Sequence, residues 1–333
     1  MLPIKRLERR ITLDYFVGID IAKRFFDAAV KVRGKNRHRQ FPNTAAGFLK
    51  FLDWLESLEI TTAQFCMEAT STYWERLAYF LSDRGDEVSV VNPACIRKFA
   101  QSALKRTKTD KVDAIVIGEF CKAMKPALWI PPAPEVKELQ GLMRRMHSLA
   151  KMRQQEKNRL AMDKDEDDVT ASVERTLKFL DAEIDRVQKK IEKVFAKSEQ
   201  LQRKRELLVS IPGIGDETAK VVLSEVPALD MFTNARQLAA YAGLTPKEFR
   251  SGDMIRGKTR LSKTGSGRLR SALYLPAIVA KQVNPVVREF YERLLKQGKP
   301  PMLAVCAAMR KLMHIIFGVL KSDKPFTAAL STA

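Results

Sequence analysis

Four acidic residues have the types and settings to act on a phosphate. Asp20 closes the apolar run YFVGID and Glu68 closes AQFCME. Each is expected at a strand end, where side chains project from a sheet edge into a shared cleft. Asp110 and Asp113, in TKTDKVDAIVIGEF, stand three apart at the start of an expected helix and so share one face. Four carboxylates brought together without compensation repel and raise one another's pKa values. A divalent metal offsets that repulsion, and Mg²⁺ prefers oxygen ligands, keeps waters and suits a few carboxylates plus a substrate phosphate. Two such ions about 3.5–4 Å apart stabilise the attacking and leaving oxygens of a phosphoryl transfer. Arg97, Lys98, Lys105, Arg106, Lys108 and Lys111 surround the second acidic pair and would hold a phosphate backbone beside the metals. Taken singly, each acid also has a plainer role: Asp20 in a turn cap, Asp110 as a helix N-cap, Glu68 or Asp113 on solvated faces.

A serine adds a second chemistry. Between Lys247 and Arg270 eight Lys or Arg face two acids, a local +6, with glycines at 252, 257, 265 and 267. Ser251 precedes Gly252 and lies between Arg250 and Arg256, in a loop that also carries Lys258, Arg260, Lys263 and Arg268. A serine there can act as a nucleophile whose transition state arginines stabilise. It can equally donate a hydrogen bond to phosphate, and Ser262, Ser266 and Ser271 compete for either role. Upstream, LLVSIPGIGDETAKVVLSEV at 207–226 places Pro-Gly-Ile-Gly between two helices. Gly213 and Gly215 let the backbone turn tightly and approach a phosphate, with the amides of the next helix facing the anion. This is similar to a helix-hairpin-helix motif; the alternative is a helical turn packed in a core.

The elements that must position these groups are legible in outline. YFVGID and FFDAAVKV predict two strands, and a third is expected near Arg37 to Phe41. Asn43 or Thr44 can cap a helix burying Phe48, Phe51, Leu52 and Leu55. Strand AQFCME, a helix from Thr72 to Arg84, and strand EVSVVN closed by Pro93 complete a mixed sheet with helices on its faces. The four prolines of KPALWIPPAPE at 125–135 break helix and favour a stiff connector. Beyond it a helix is expected over Glu135 to Arg159, then the acidic DKDEDD, then a second long helix. On that second helix Val173, Leu177, Leu180, Ile184, Val187, Ile191, Val194 and Leu201 follow steps of four and three, a coiled-coil spacing with Ser198 as its polar seam position. The seam pairs either with another chain or with a hairpin of its own. From about Arg205 the chain turns helical, basic and glycine-punctuated.

Composition bounds the rest. At 333 residues the chain exceeds one small module. It holds 59 Lys plus Arg against 39 Asp plus Glu, a formal +20, which favours a polyanion partner because cations that neutralise phosphates release counterions. Four cysteines form no Cys-x-x-Cys pair and there are three histidines, so no zinc motif is assembled by spacing. The N-terminus carries no apolar signal core, and the apolar stretch Met302 to Leu320 is interrupted by Arg310 and Lys311. A soluble protein of a reducing compartment, with no membrane partner, is expected.

The segments GIDIAK, MEATSTY, VNPACIRKFAQS, KTDKVDA, SIPGIGDETA, AYAGLTPKEFRSG and RLSKTGSGRLRSALY occur in an order that resembles the bridge-RNA-guided insertion-sequence recombinases, the one-ten family of DEDD transposases. The resemblance spans about residues 15 to 325. It implies an α/β RNase H-like (RuvC-like) N-terminal domain over 1–130, a helical coiled-coil spacer over 131–205, and a mostly α-helical transposase domain with a helix-hairpin-helix motif over 206–333. It implies that Asp20, Glu68, Asp110 and Asp113 bind Mg²⁺ and that Ser251 is the nucleophile of a phosphoserine intermediate. The implied partners are donor and target DNA, a noncoding bridge RNA and further copies of the chain, as a dimer of dimers. The implied location is prokaryotic cytoplasm, on the nucleoid when DNA is bound. A RuvC-like nuclease using metal-activated water, with Ser251 only binding phosphate, is the rival enzyme; a silent nucleic-acid scaffold is the rival outside the enzymes.

Overall fold

The structure is a computed structural model that describes residues 15–102, 109–162, 167–226, 228–247, 250–251, 255–256 and 260–328. Lys105, Arg106, Lys108 and Lys258 lie outside the described residues, and for Arg250, Ser251 and Arg256 the description covers the main chain alone. The chain divides into two compact units, with the boundary between Pro131 and Pro132, inside the proline-rich connector.

Among the described residues of the first unit, β-rich segments build one mixed sheet. Strands β1 (Phe16–Ile21), β2 (Phe25–Val32) and β3 (Lys35–Pro42) form an antiparallel meander. After α1 (Ala45–Glu56), β4 (Gln64–Glu68) returns parallel to β1. After α2 (Glu75–Asp83), β5 (Glu87–Val91) adds parallel to β4, giving the order β3-β2-β1-β4-β5. Then come α3 (Pro93–Ser102) and α4 (Asp110–Met124). Thr44, extended at its own φ and ψ, caps α1 by accepting from the Gly47 amide, which is how a cap threonine stabilises a helix start. One apolar cluster gathers Phe26, Phe41, Phe48, Phe51, Trp54 and Phe65 against α1. Another joins Cys66 and Val91 to Ile96 of α3 and to Val116, Ile117, Phe120 and Cys121 of α4. A mixed sheet flanked by helices is compatible with an RNase H-like domain.

The second unit is helical: α5 (Pro134–Met162), α6 (Asp167–Lys197), α7 (Glu199–Val209) and α8 (Asp216–Glu225). A 3-10 turn at Leu229–Met231 leads to α9 (Ala235–Tyr241). Two ribbons follow, β6 (Pro246–Lys247) with β9 (Arg260–Leu261), and β7 (Arg250–Ser251) with β8 (Ile255–Arg256). Helices α10 (Gly267–Ala272), α11 (Tyr274–Val283), α12 (Pro285–Lys296) and α13 (Pro301–Ser322) complete it. Helix α13 is long and apolar enough by composition to cross a membrane, yet Ala304, Ala308, Leu312, Ile316 and Val319 are buried, and the last four lie in the unit's core. That single core runs from Leu139 of α5 through Val187 and Ile191 of α6 to α13, so residues 132–205 share it with the residues after them, and Arg205 lies inside α7.

One expectation changes here and one open alternative resolves. Ser198 is not a polar seam position of one continuous helix: it ends α6 and caps α7, its hydroxyl accepting from the Leu201 amide. And the heptad seam is satisfied within the chain, since Val173, Leu180, Val187, Ile191 and Val194 are buried and α6 packs along α5, with Arg153 and Asp181 paired at 2.6 Å. Ile191→Asp would put an unpaired charge at a position 1% exposed. It is expected to cost at least about 3 kcal/mol, read as a lower thermal midpoint of the second unit rather than as a smaller particle mass.

Candidate functional site

The sheet and α4 together set the acidic site. The β1–β4 ladder keeps Ile19 opposite Met67, so Asp20 and Glu68 follow at the same level, at the C-terminal ends of adjacent parallel strands. Helix α4 lies directly on β1 because Gly18 and Gly118 leave room for it. A Cβ on Gly18 would sit 2.0 Å from the Ala114 carbonyl oxygen and 2.2 Å from the Gly118 nitrogen, and one on Gly118 would sit 3.4 Å from the Phe16 carbonyl oxygen. Gly18 therefore sits on the turn from Ala114 to Gly118, and Gly118 reaches back past Gly18 toward Phe16, so the helix runs against the strand. One step further along β1, Asp20 comes level with Asp110 and Asp113 in the first turn of α4. Thr109 fixes that turn, its hydroxyl accepting from the Val112 amide. Gly18→Ala is expected to push α4 off the sheet at a cost of about 3 kcal/mol, measurable by denaturant unfolding, and to weaken divalent-metal uptake with it.

Electrostatics report the same convergence. Burial, and then the charges of Asp113, Asp110, Glu68 and Asp27, push the Asp20 carboxyl up to about 6. Among the described residues no donor bonds to the Asp20 carboxylate, whereas Glu68 accepts from the Thr70 hydroxyl at 2.9 Å. The donor set is all oxygen, which fits Mg²⁺. Among the described residues no three His, Cys, Asp or Glu side chains stand close enough to make a ready metal shell; Mg²⁺ keeps several waters and takes only one or two carboxylates beside substrate phosphate, so the acids fit it as partial ligands. Lys111 is exposed beside them.

Asp27 joins this group only in the folded chain. It lies on β2 directly opposite Asp20, and its signal in the sequence is a lone acid inside FFDAAVKV, whose meaning depends on the hairpin register.

The Pro-Gly-Ile-Gly turn forms between α7 and α8, with a different use for its first glycine. Gly213 has φ +99, and a Cβ there would meet the Ala280 Cβ at 2.6 Å, so close packing on α11 requires a glycine. Buried Asn284 reinforces this, donating to the Pro212 carbonyl at 3.2 Å. Space is open around Gly215, the N-cap of α8. The first turn of α8 carries Asp216 and Glu217. Arg205 forks onto Asp216 and onto Glu192, the latter at 2.7 Å, and nearly fully buried Lys220 reaches Glu192 at 2.7 Å and Asp216 at 2.9 Å. Arg205 holds the Asp216 carboxyl below its ordinary value. The carboxylate of Asp216 at this helix N-terminus is therefore matched by two cations of the same chain.

In the basic segment the β7–β8 ribbon pairs Ser251 with Ile255 and Arg250 with Arg256, placing Ser251 at the ribbon's inner end. Arg260 and Lys263 are exposed, and Arg268 lies 3.6 Å from Glu225. Of the competing serines, Ser266 has a structural role, since it caps α10 and donates to the Glu225 carboxylate at 3.0 Å.

Comparison with known proteins shows the family. Residues 17–162 match a DEDD transposase family of the IS110 type, and residues 205–292 match the transposase IS116/IS110/IS902 family. The chain is 31% identical to a pilin gene-inverting protein of Moraxella bovis over 93% of this chain and 97% of that protein. It is 30% identical to the pilin gene-inverting protein of Moraxella lacunata over the same shares. An insertion element IS110 protein of Streptomyces coelicolor is 33% identical over 34% of this chain and 28% of its own length. The chain belongs to the IS110 family of transposases, enzymes that cut and rejoin DNA.

Proposed function

We propose that the protein recombines donor and target DNA of its insertion sequence through a serine nucleophile in the second unit and a metal-binding carboxylate site in the first. The observation that supports the reading is the Asp20 carboxyl, which burial first and then the charges of Asp113, Asp110 and Glu68 push up to about 6: negative charge gathered at the ends of β1 and β4 and the start of α4 favours a cation. Asp20, Glu68, Asp110 and Asp113 would hold Mg²⁺. Bound there, the metal supplies positive charge to a scissile phosphate. The Ser251 hydroxyl attacks the phosphorus, a Ser–O–P bond forms, and the bond to the leaving sugar oxygen breaks, with that oxygen taking a proton. The phosphoserine link keeps the bond energy, so a sugar hydroxyl of another strand can attack it, release Ser251 and complete exchange without an external energy source.

The rest of the reading extends this chemistry. Lys105, Arg106, Lys108 and Lys111 would hold backbone at the acids, and Arg250, Arg256, Lys258, Arg260, Lys263 and Arg268 would do so at the serine, with Gly215 as a main-chain contact. Phosphate contacts position without reading sequence, which suits choice of site by base pairing to a noncoding bridge RNA. By function the chain divides into 1–130, 131–205 and 206–333. The serine of one copy would serve the acids of another in a dimer of dimers, joined through surfaces other than the buried seam of α6. Two relatives are named for inverting a pilin gene, and the same cutting and rejoining at two sites in one DNA yields inversion.

The test incubates protein, Mg²⁺, junction DNA and the element's RNA, and looks for a protein–DNA adduct on a denaturing gel. An adduct that requires Ser251, Asp20 and the RNA supports the reading. Normal cleavage by Ser251→Ala would replace it with a metal-dependent nuclease, and neither cleavage nor adduct would leave a scaffold.

A further inference from the structure

Asp27 is a fifth carboxylate that the chemistry above does not use. It is 6% exposed, a burial at which a charge is kept only with its hydrogen bonds made. Both of its oxygens are engaged from β3: His38 Nε2 donates to Oδ1 at 2.6 Å and Gln40 Nε2 donates to Oδ2 at 2.9 Å. A carboxylate only accepts, so Nε2 of His38 carries the proton. The ladders pair Asp27 with Asp20 on one side and with Gln40 on the other, so the three stand in one row on one face of the sheet. Like charges directly opposite one another in a sheet are destabilising. A hydrogen-bonded clip between β2 and β3 would not need that charge, because an asparagine at this position accepts from His38 without repelling Asp20.

We propose that Asp27, fixed by His38 and Gln40, is a positioning residue for the divalent-metal site. Its charge deepens the negative potential at Asp20 while its own oxygens stay turned toward β3. The proposal rests on the reading of Asp20, Glu68, Asp110 and Asp113 as metal-binding carboxylates. A like charge facing a metal ligand strengthens that ligand's hold on a cation by Coulomb attraction, and a tenfold change in affinity corresponds to about 1.4 kcal/mol.

The test titrates Mn²⁺ into the full-length protein by calorimetry, without nucleic acid, and records the metal-free melting temperature of each variant. Asp27→Asn is expected to weaken Mn²⁺ binding about tenfold with a melting temperature that holds or rises. His38→Gln, which keeps a donor, is expected to stay near wild type, and His38→Ala to weaken binding as Asp27→Asn does. Unchanged affinity in Asp27→Asn would overturn the proposal, as would affinity lost only in step with a lowered melting temperature. Asp20→Asn separates the two levels: if it binds Mn²⁺ as well as wild type, or if wild type binds none, the metal reading itself falls and Asp27's role with it. Lost binding in Asp20→Asn beside unchanged binding in Asp27→Asn rejects Asp27 alone.

Discussion

Ser251→Ala is expected to abolish the covalent protein–DNA species and to lower strand rejoining by about a thousandfold or more, the scale of loss when a covalent nucleophile is removed. The substitution takes away one oxygen and leaves the ribbon's main-chain pairing of position 251 with Ile255 available, so folding should be retained and the loss is chemical. Ser266→Ala is the matched control. Ser266 caps α10 and bonds Glu225, so its loss should cost about 1 kcal/mol of stability and leave the adduct in place. The opposite pattern, with the adduct lost at Ser266 and kept at Ser251, would move the nucleophile.

Asp20→Asn carries the second large effect, in two measurements of opposite sign. With Mg²⁺ and nucleic acid, activity should fall by about a thousandfold, since removing a charge that acts on the transition state costs several kcal/mol. Without divalent metal, the variant should be the more stable protein at neutral pH. Burial and neighbouring carboxylates raise the Asp20 carboxyl from 3.8 to about 6. The folded state therefore binds more protons than the unfolded state between these values, and stability falls as pH rises through them. Wild type should lose stability from about pH 4 to pH 6 and stay lower above it, and Asp20→Asn should lack that slope. Asp20 is only partly buried, so solvent screening reduces the expected gain of the variant above about pH 6 to about 1–2 kcal/mol. Below about pH 4 the two proteins should converge, and a gain that persists there would assign the effect to packing. Metal uptake by wild type should weaken below about pH 6, where Asp20 takes up a proton.

The first unit was largely legible because its strands are near-continuous apolar runs, and an acid at or near the end of such a run marks Asp20 and Glu68 without knowledge of their partners. The docking of α4 was not legible. It depends on Gly18 meeting Ala114 and Gly118 across a long stretch of intervening chain, and only that contact brings Asp110 and Asp113 level with Asp20. Asp27 was hidden for a related reason, since a lone acid in a strand acquires its meaning from the residue opposite it. In the second unit the heptad spacing of α6 announced a buried stripe truly, but spacing cannot say whose helix covers it, and α5 does. The packing of Gly213 against Ala280 was not legible either, since nothing near position 213 names the helix it meets. The ribbons around Ser251 are two residues long, too short for any periodicity to announce them.

Locating the covalent bond decides between serine attack and every rival chemistry. Protein incubated with Mg²⁺, junction DNA and guide RNA would be quenched, digested with nuclease and protease, and its peptides read by tandem mass spectrometry. Serine attack predicts a nucleotide phosphate mass on the peptide containing Ser251, absent when Asp20→Asn is used. A nucleotide carried by any other residue, or DNA cut and rejoined with no modified peptide, would contradict it.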